Sequence, residues 1–180
     1  MHTPRGATAP TSGAGAAAHG GRANRPDTPA LYLALEPETA IREYQQLSPL
    51  MPPGTLVSYT VRIASVVDFR AGYDAEQWAE LWEEFHCDWR ELWFNQRVEP
   101  PSWVLADEVR VAGAKGILFA SKVAPGGLNL VVPRFNDQVQ HLPTEPSPCR
   151  RSIFLPQGQN LVVAPCGHVG RLPLSLSICP

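Results

Sequence analysis

Residues 56–63, LVSYTVRI, alternate cleanly: Val57, Tyr59, Val61 and Ile63 fall on one side of an extended chain and Ser58, Thr60 and Arg62 on the other. A period of two predicts a half-buried strand. Three apolar runs predict further, more deeply buried strands. They are ALYLAL at 30–35, KGILFAS at 115–121 and LNLVV at 128–132, the last two joined by the turn KVAPGG. Helical signals lie between them. In EPETAIREYQQL, 36–47, Pro37 suits a first helical position, and Glu36 and Glu38 sit at the positive end of the dipole. In 74–96, Trp78, Leu81, Trp82, Phe85, Trp89, Leu92 and Trp93 recur at three- and four-residue steps, the apolar stripe of an amphipathic helix. A last helix is predicted from Ser102, read as its N-cap, to a stop at Gly113.

Two stretches carry no such pattern. Residues 1–29 are rich in Gly, Ala, Pro and Thr and are expected to be irregular. Beyond Val132 the chain is heavy in proline, without a sustained period, and reads as an irregular tail with one added strand. Strands and helices that intermix without a repeat predict an α+β fold, and 180 residues suit a single domain.

Charge and composition narrow the chemistry. With 15 basic and 17 acidic residues the formal net charge is -2, which offers no broad basic field for nucleic acid or an anionic membrane. No run approaches the ~18 apolar residues of a membrane span, and the first residues lack the apolar core of a secretory signal, so a cytoplasmic location is expected. The four cysteines are expected to be free thiols. Cys149, Cys166, His168 and Cys179 contain no C-x-x-C pair and match no common zinc spacing, so no metal is expected. No Walker loop, G-x-G-x-x-G or H-E-x-x-H motif is present.

Four residues stand out. Glu43 lies about 60° from Ala40 on a helical wheel, at the flank of the apolar face, where a partly desolvated carboxylate needs a partner. That partner could be structural, with Arg22, Arg42 or Arg62 as candidates, or the group could do chemistry. Arg22 follows Gly20 and Gly21, which let backbone approach a ligand while a guanidinium grips phosphate; a solvated loop arginine has the same sequence. Tyr32 could pack its ring in the core or present a face to a planar ligand. Ser121, at the end of an apolar strand, suits a capping hydroxyl and has no G-x-S-x-G elbow around it. His19 and His86 are read as surface or structural residues.

The stretch GGRANRPDTPALYLALEPETAIREY, 20–44, followed downstream by GAKGILFASKVAPGGLNLVV, 113–132, resembles the RES domain family, named for an arginine, a glutamate and a serine. The resemblance divides the chain into an irregular 1–11, a RES domain over 12–132 and an atypical Pro-rich segment over 133–180. It implies an ADP-ribosyltransferase-like fold, with a split antiparallel or mixed sheet and flanking helices. It also implies a bacterial toxin that consumes NAD+ as substrate and is paired with an Xre-like antitoxin protein. Water, phosphate or a protein side chain could accept the ADP-ribose. The family name falls on Arg22, Glu43 and Ser121 as catalytic residues. Arg22, Tyr32 and Ser121 become the NAD+-binding set, with Tyr32 at the nicotinamide. Ala23 stands where the family commonly has an aromatic residue, and Asp27 where it has glycine. A catalytically impaired member acting only as a binding partner is the alternative that the same resemblance allows.

Overall fold

The computed structural model describes residues 1–46, 48–133 and 174–177. Its centre is a four-stranded mixed sheet built from β1 (Ala30–Ala34), β3 (Val67–Phe69), β4 (Ile117–Ala120) and β5 (Leu128–Pro133), in the order β1-β5-β4-β3. The β1–β5 and β4–β5 pairs are antiparallel, and β3 runs parallel to β4. β2 (Thr60–Ile63) pairs separately and antiparallel with β6 (Leu174–Ser177). Around these strands lie α1 (Ala14–His19), α2 (Pro37–Gln45) and α3 (Pro101–Val111). The chain is thus a single α+β domain with its strands split between two sheets.

The near-continuous apolar runs of β4 and β5 follow from burial on both faces. Ile117, Phe119 and Val131 point into one core with Phe69, Trp82, Phe85, Leu105 and Val109. Leu118, Leu130 and Val132 point the other way, against Leu31, Leu33 and Ile63. The alternation in residues 56–63 is also real, since Tyr59 and Val61 pack with Ile63 on that second core, although only Thr60–Ile63 forms ladder pairs.

The aromatic stripe is buried as its period predicts, but the backbone under it is not one α-helix. It breaks into a 3-10 segment, Glu80–His86, an extended residue at Cys87 and a π-helical turn, Glu91–Gln96. Trp82, Phe85 and Trp89 are buried, and Phe69 sits amid the rings with centroids 4.9 Å from Trp82 and 5.2 Å from Phe85. The break has a local cause in hydrogen bonding. The carbonyls of Phe85, His86 and Cys87 turn outward to accept from two cationic side chains, described below.

Two further expectations change. The segment 1–29 is not uniformly irregular, because Ala14–His19 coils into the short helix α1. Ser102 is not an N-cap: α3 begins at Pro101 with Pro100 in the cap position, and Ser102 is fully buried, accepting a 3.6 Å hydrogen bond from the Cys87 thiol. Asp27 has φ +64°, a left-handed position that favours glycine and that aspartate tolerates better than most residues. Ala23, where a ring would be common, is buried in the first core, so that volume is taken up by its neighbours.

Candidate active site

Register decides which strand residues meet on one face. Ala34, Asn129 and Phe119 lie opposite one another across β1, β5 and β4, and Tyr32 lies opposite Val131. Directly paired residues share a face. At this end of the sheet the first core stops and a cleft of about 580 Å³ opens, lined by Tyr32, Ala34, Phe119 and Asn129 from the strands. Arg22 from the preceding loop, Glu43 from α2 and His86 from the 3-10 segment complete its working surface.

α2 is aimed by its first turn. Glu36, at the N-cap, accepts hydrogen bonds on Oε2 from the Leu128 N–H at 3.1 Å and the Thr39 hydroxyl at 2.8 Å, which pins the helix start to the start of β5. Gly127 lies directly against the Thr39 side chain, where a Cβ would collide with Oγ1. Two turns after Glu36, on the same helical face, Glu43 comes over the β4–β5 hairpin. Its Oε1 accepts from the Ser121 hydroxyl at 2.7 Å and from Asn129 Nδ2 at 2.6 Å. Ser121 Oγ in turn accepts from the Val123 and Ala124 N–H groups at 3.2 and 3.0 Å, so its own proton is directed at Glu43. Among the described residues, Oε2 is met by Gln46 Nε2 at 3.2 Å. No arginine forms an ion pair with Glu43 among the described residues, so the structural salt bridge with Arg22, Arg42 or Arg62 is not made.

Arg22 is held from the other side. Its Nη1 donates to the carbonyls of Phe85 at 3.1 Å and Cys87 at 2.9 Å. Both protons of that nitrogen are used, leaving Nε and Nη2 for a ligand. Burial lowers its pKa, opposed by nearby groups that include Glu43. A desolvated guanidinium whose partners among the described residues are neutral carbonyls has the chemistry to take an anion.

Tyr32 is split between two environments. The residue as a whole is 37% exposed, and its ring lines the cleft. Its hydroxyl is buried, donating to Asn24 Oδ1 at 2.7 Å and accepting from the Ala23 N–H at 2.9 Å. Burial raises the pKa of that hydroxyl, so it stays neutral and acts as an anchor. Gly21 makes room for it: a Cβ there would strike the Tyr32 hydroxyl and lie 2.6 Å from Asn24 Oδ1. Asn24 fixes the loop by donating to the carbonyls of Ala16, Arg25 and Thr28, and Trp103 Nε1 donates to the Gly21 carbonyl at 2.6 Å.

The four residues singled out from sequence therefore converge: Arg22, Tyr32 and Glu43 line one cleft, and Ser121 reaches it through Glu43. Asn129 and His86 were missed. Asn129 carried a signal, a lone amide in the apolar run LNLVV, and it is buried at 7% exposure. His19, which is exposed as a surface residue, and His86, which is half-buried, both line the cleft. No cluster of three or more metal-ligating side chains occurs among the described residues, and Cys149, Cys166, His168 and Cys179 lie outside them. The strand expected beyond Val132 is present as β6, Leu174–Ser177. Cys87 is a free thiol. No helix among the described residues is long and apolar enough to cross a membrane.

The model of the RES domain family matches residues 1–162, most of the chain, and the chain belongs to that family. No curated protein and no solved structure gives a significant match.

Asn129 gives a direct check on the carboxylate mount. Replacing it with leucine, of similar volume, removes one of the two donors on Glu43 Oε1 and leaves Ser121 in place. Loss of a hydrogen bond to a charged group costs about 1.5–3 kcal/mol. Turnover of Asn129→Leu is expected to fall roughly 10- to 100-fold with KM little changed, read from steady-state kinetics. Unchanged turnover would mean that Asn129 does not hold the working position of Glu43.

Proposed function

We propose that the chain cleaves the bond between nicotinamide and ribose in NAD+, as the toxin of a pair in which an Xre-like protein is the antitoxin. The observation that carries this reading is the mounting of Glu43: one carboxylate oxygen is fixed by Ser121 and Asn129, facing a cleft that also holds Arg22 and the Tyr32 ring. Breaking the glycosidic bond sends its electron pair to the nicotinamide nitrogen and leaves positive charge on the ribose. A fixed carboxylate stabilises that charge without reorganising as the charge develops. Glu43 is the acidic side chain among the lining residues, so the negative field in the cleft has one origin.

The other residues take complementary parts. Arg22 directs its free donors to the phosphates and holds the dinucleotide bent, and Tyr32 offers a ring face to the nicotinamide. Ser121 acts as a positioning residue through Glu43. The acceptor, whether water, phosphate or a protein side chain, adds to the ribose carbon and gives its proton to solvent. The family membership and the cleft support an ADP-ribosyltransferase-like arrangement for this reaction.

Incubation of the purified chain with NAD+ is expected to release free nicotinamide, with ADP-ribose recovered free or attached to an acceptor. Release no faster than in buffer alone would remove the proposal. Coexpression with the Xre-like partner is expected to yield a complex in which that release is suppressed.

A further inference from the structure

His86 occupies an unusual place for a histidine. Its ring sits in an aromatic socket, with centroids 5.2 Å from Phe85, 6.0 Å from Phe69 and 6.1 Å from Phe119. Nδ1 is sealed from solvent and has no hydrogen-bond partner among the described residues, whereas buried polar atoms are nearly always satisfied. The ring nevertheless lines the cleft, which leaves Nε2 as its accessible nitrogen. Its backbone is held by cations: Arg22 Nη1 grips the carbonyls on either side of it, and Lys122 Nζ donates to its own carbonyl at 3.1 Å.

These contacts fix the chemistry of the ring. Burial first, then the charges of Arg22 and Lys122, hold the imidazole pKa down at about 4, so at neutral pH the ring is uncharged and carries one proton. A phosphoryl oxygen beside Arg22 accepts from an N–H and repels a lone pair at Nε2, so a bound diphosphate selects the tautomer with the bare nitrogen at the sealed Nδ1. The proton then belongs on Nε2, directed into the cleft beside the free donors of Arg22. A nucleus of donors in positive potential suits phosphoryl oxygens.

We propose that His86 is a ligand-binding residue, whose Nε2–H donates to the diphosphate group of the nucleotide held by Arg22. The inference rests on the NAD+ reading of the same cleft, and it adds a neutral donor that the family's arginine, glutamate and serine do not supply. An unsatisfied atom in the socket is kept because the ring must present its other nitrogen. A phenylalanine would fill the same socket without that cost.

The test measures ADP-ribose binding by calorimetry for the wild type, His86→Phe and His86→Gln. Glutamine reaches the position of Nε2 with an amide donor, whereas phenylalanine keeps the ring and removes the donor. His86→Phe is expected to melt no lower than the wild type and to bind ADP-ribose roughly 10- to 100-fold more weakly, as loss of a hydrogen bond to a charged group implies. His86→Gln is expected to recover most of that loss. Equal ADP-ribose binding by His86→Phe and the wild type would overturn the inference, as would a loss confined to inorganic phosphate. Wild-type protein that binds ADP-ribose but releases no nicotinamide would overturn the NAD+ cleavage reading and leave the role of His86 standing.

Discussion

Replacing Glu43 with glutamine is expected to lower nicotinamide release from NAD+ by roughly 100- to 1,000-fold, the usual cost of removing a fixed electrostatic stabiliser. The substitution is nearly isosteric. The amide oxygen can still accept from the Ser121 hydroxyl and Asn129 Nδ2, so the contacts that dock α2 on the β4–β5 hairpin survive. What disappears is the negative charge that Glu43 brings to the cleft. Melting temperature and ADP-ribose affinity should therefore stay close to wild type while turnover collapses. Alanine is a poorer probe, because it strands the buried amide of Asn129 and the directed proton of Ser121 and adds about 1–3 kcal/mol of instability to the chemical effect. Glu43→Gln turning over at the wild-type rate would show that the carboxylate has no part in the reaction.

Glu43 also shows how much of the site was legible in the sequence. The helical wheel placed it at the flank of the apolar face, and the structure finds it there, half-buried over the hairpin. Ser121 was visible as a hydroxyl ending a buried strand. The nature of the carboxylate's partners was not, because pattern pointed to arginines while the fold supplies two neutral donors remote in sequence, Ser121 just after β4 and Asn129 on β5.

The larger failure concerns the aromatic segment, and it has one physical origin. A three- and four-residue period reports which side chains are buried, and Trp82, Phe85 and Trp89 are. It does not report which backbone groups bond to what. Here the carbonyls of residues 85–87 accept from Arg22 and Lys122, so the helix ends at His86 and the chain turns at Cys87. Main-chain acceptors have no signature in side-chain pattern, which also hid the role of His86. The buried strands, by contrast, were read correctly because two-sided burial is written directly into residue type.

Those carbonyls make Arg22 the second decisive position. Its guanidinium links the glycine loop to the aromatic segment and, on the proposed reading, holds the phosphates of the nucleotide. Arg22→Met removes two hydrogen bonds from a charged donor and strips the Phe85 carbonyl of its Arg22 partner, while the Cys87 carbonyl keeps the Trp89 N–H, at about 1–3 kcal/mol. Relief of the buried charge offsets part of this, as the lowered pKa of Arg22 indicates. The net loss of stability is expected to be modest. The loss of binding is not, since two phosphate contacts from one guanidinium vanish together, and ADP-ribose affinity is expected to fall roughly 100-fold or more. Ligand that raises the melting temperature of the wild type, as binding to the folded state alone must, is expected to leave that of Arg22→Met almost unmoved. Arg22→Lys separates the two roles: an ammonium can replace one carbonyl contact and regain stability, yet it lacks the planar fork that serves carbonyls and phosphate at once. If Arg22→Met kept the ligand-induced shift, Arg22 would be only the clamp on the aromatic segment, and the anion site would have to be sought elsewhere in the cleft.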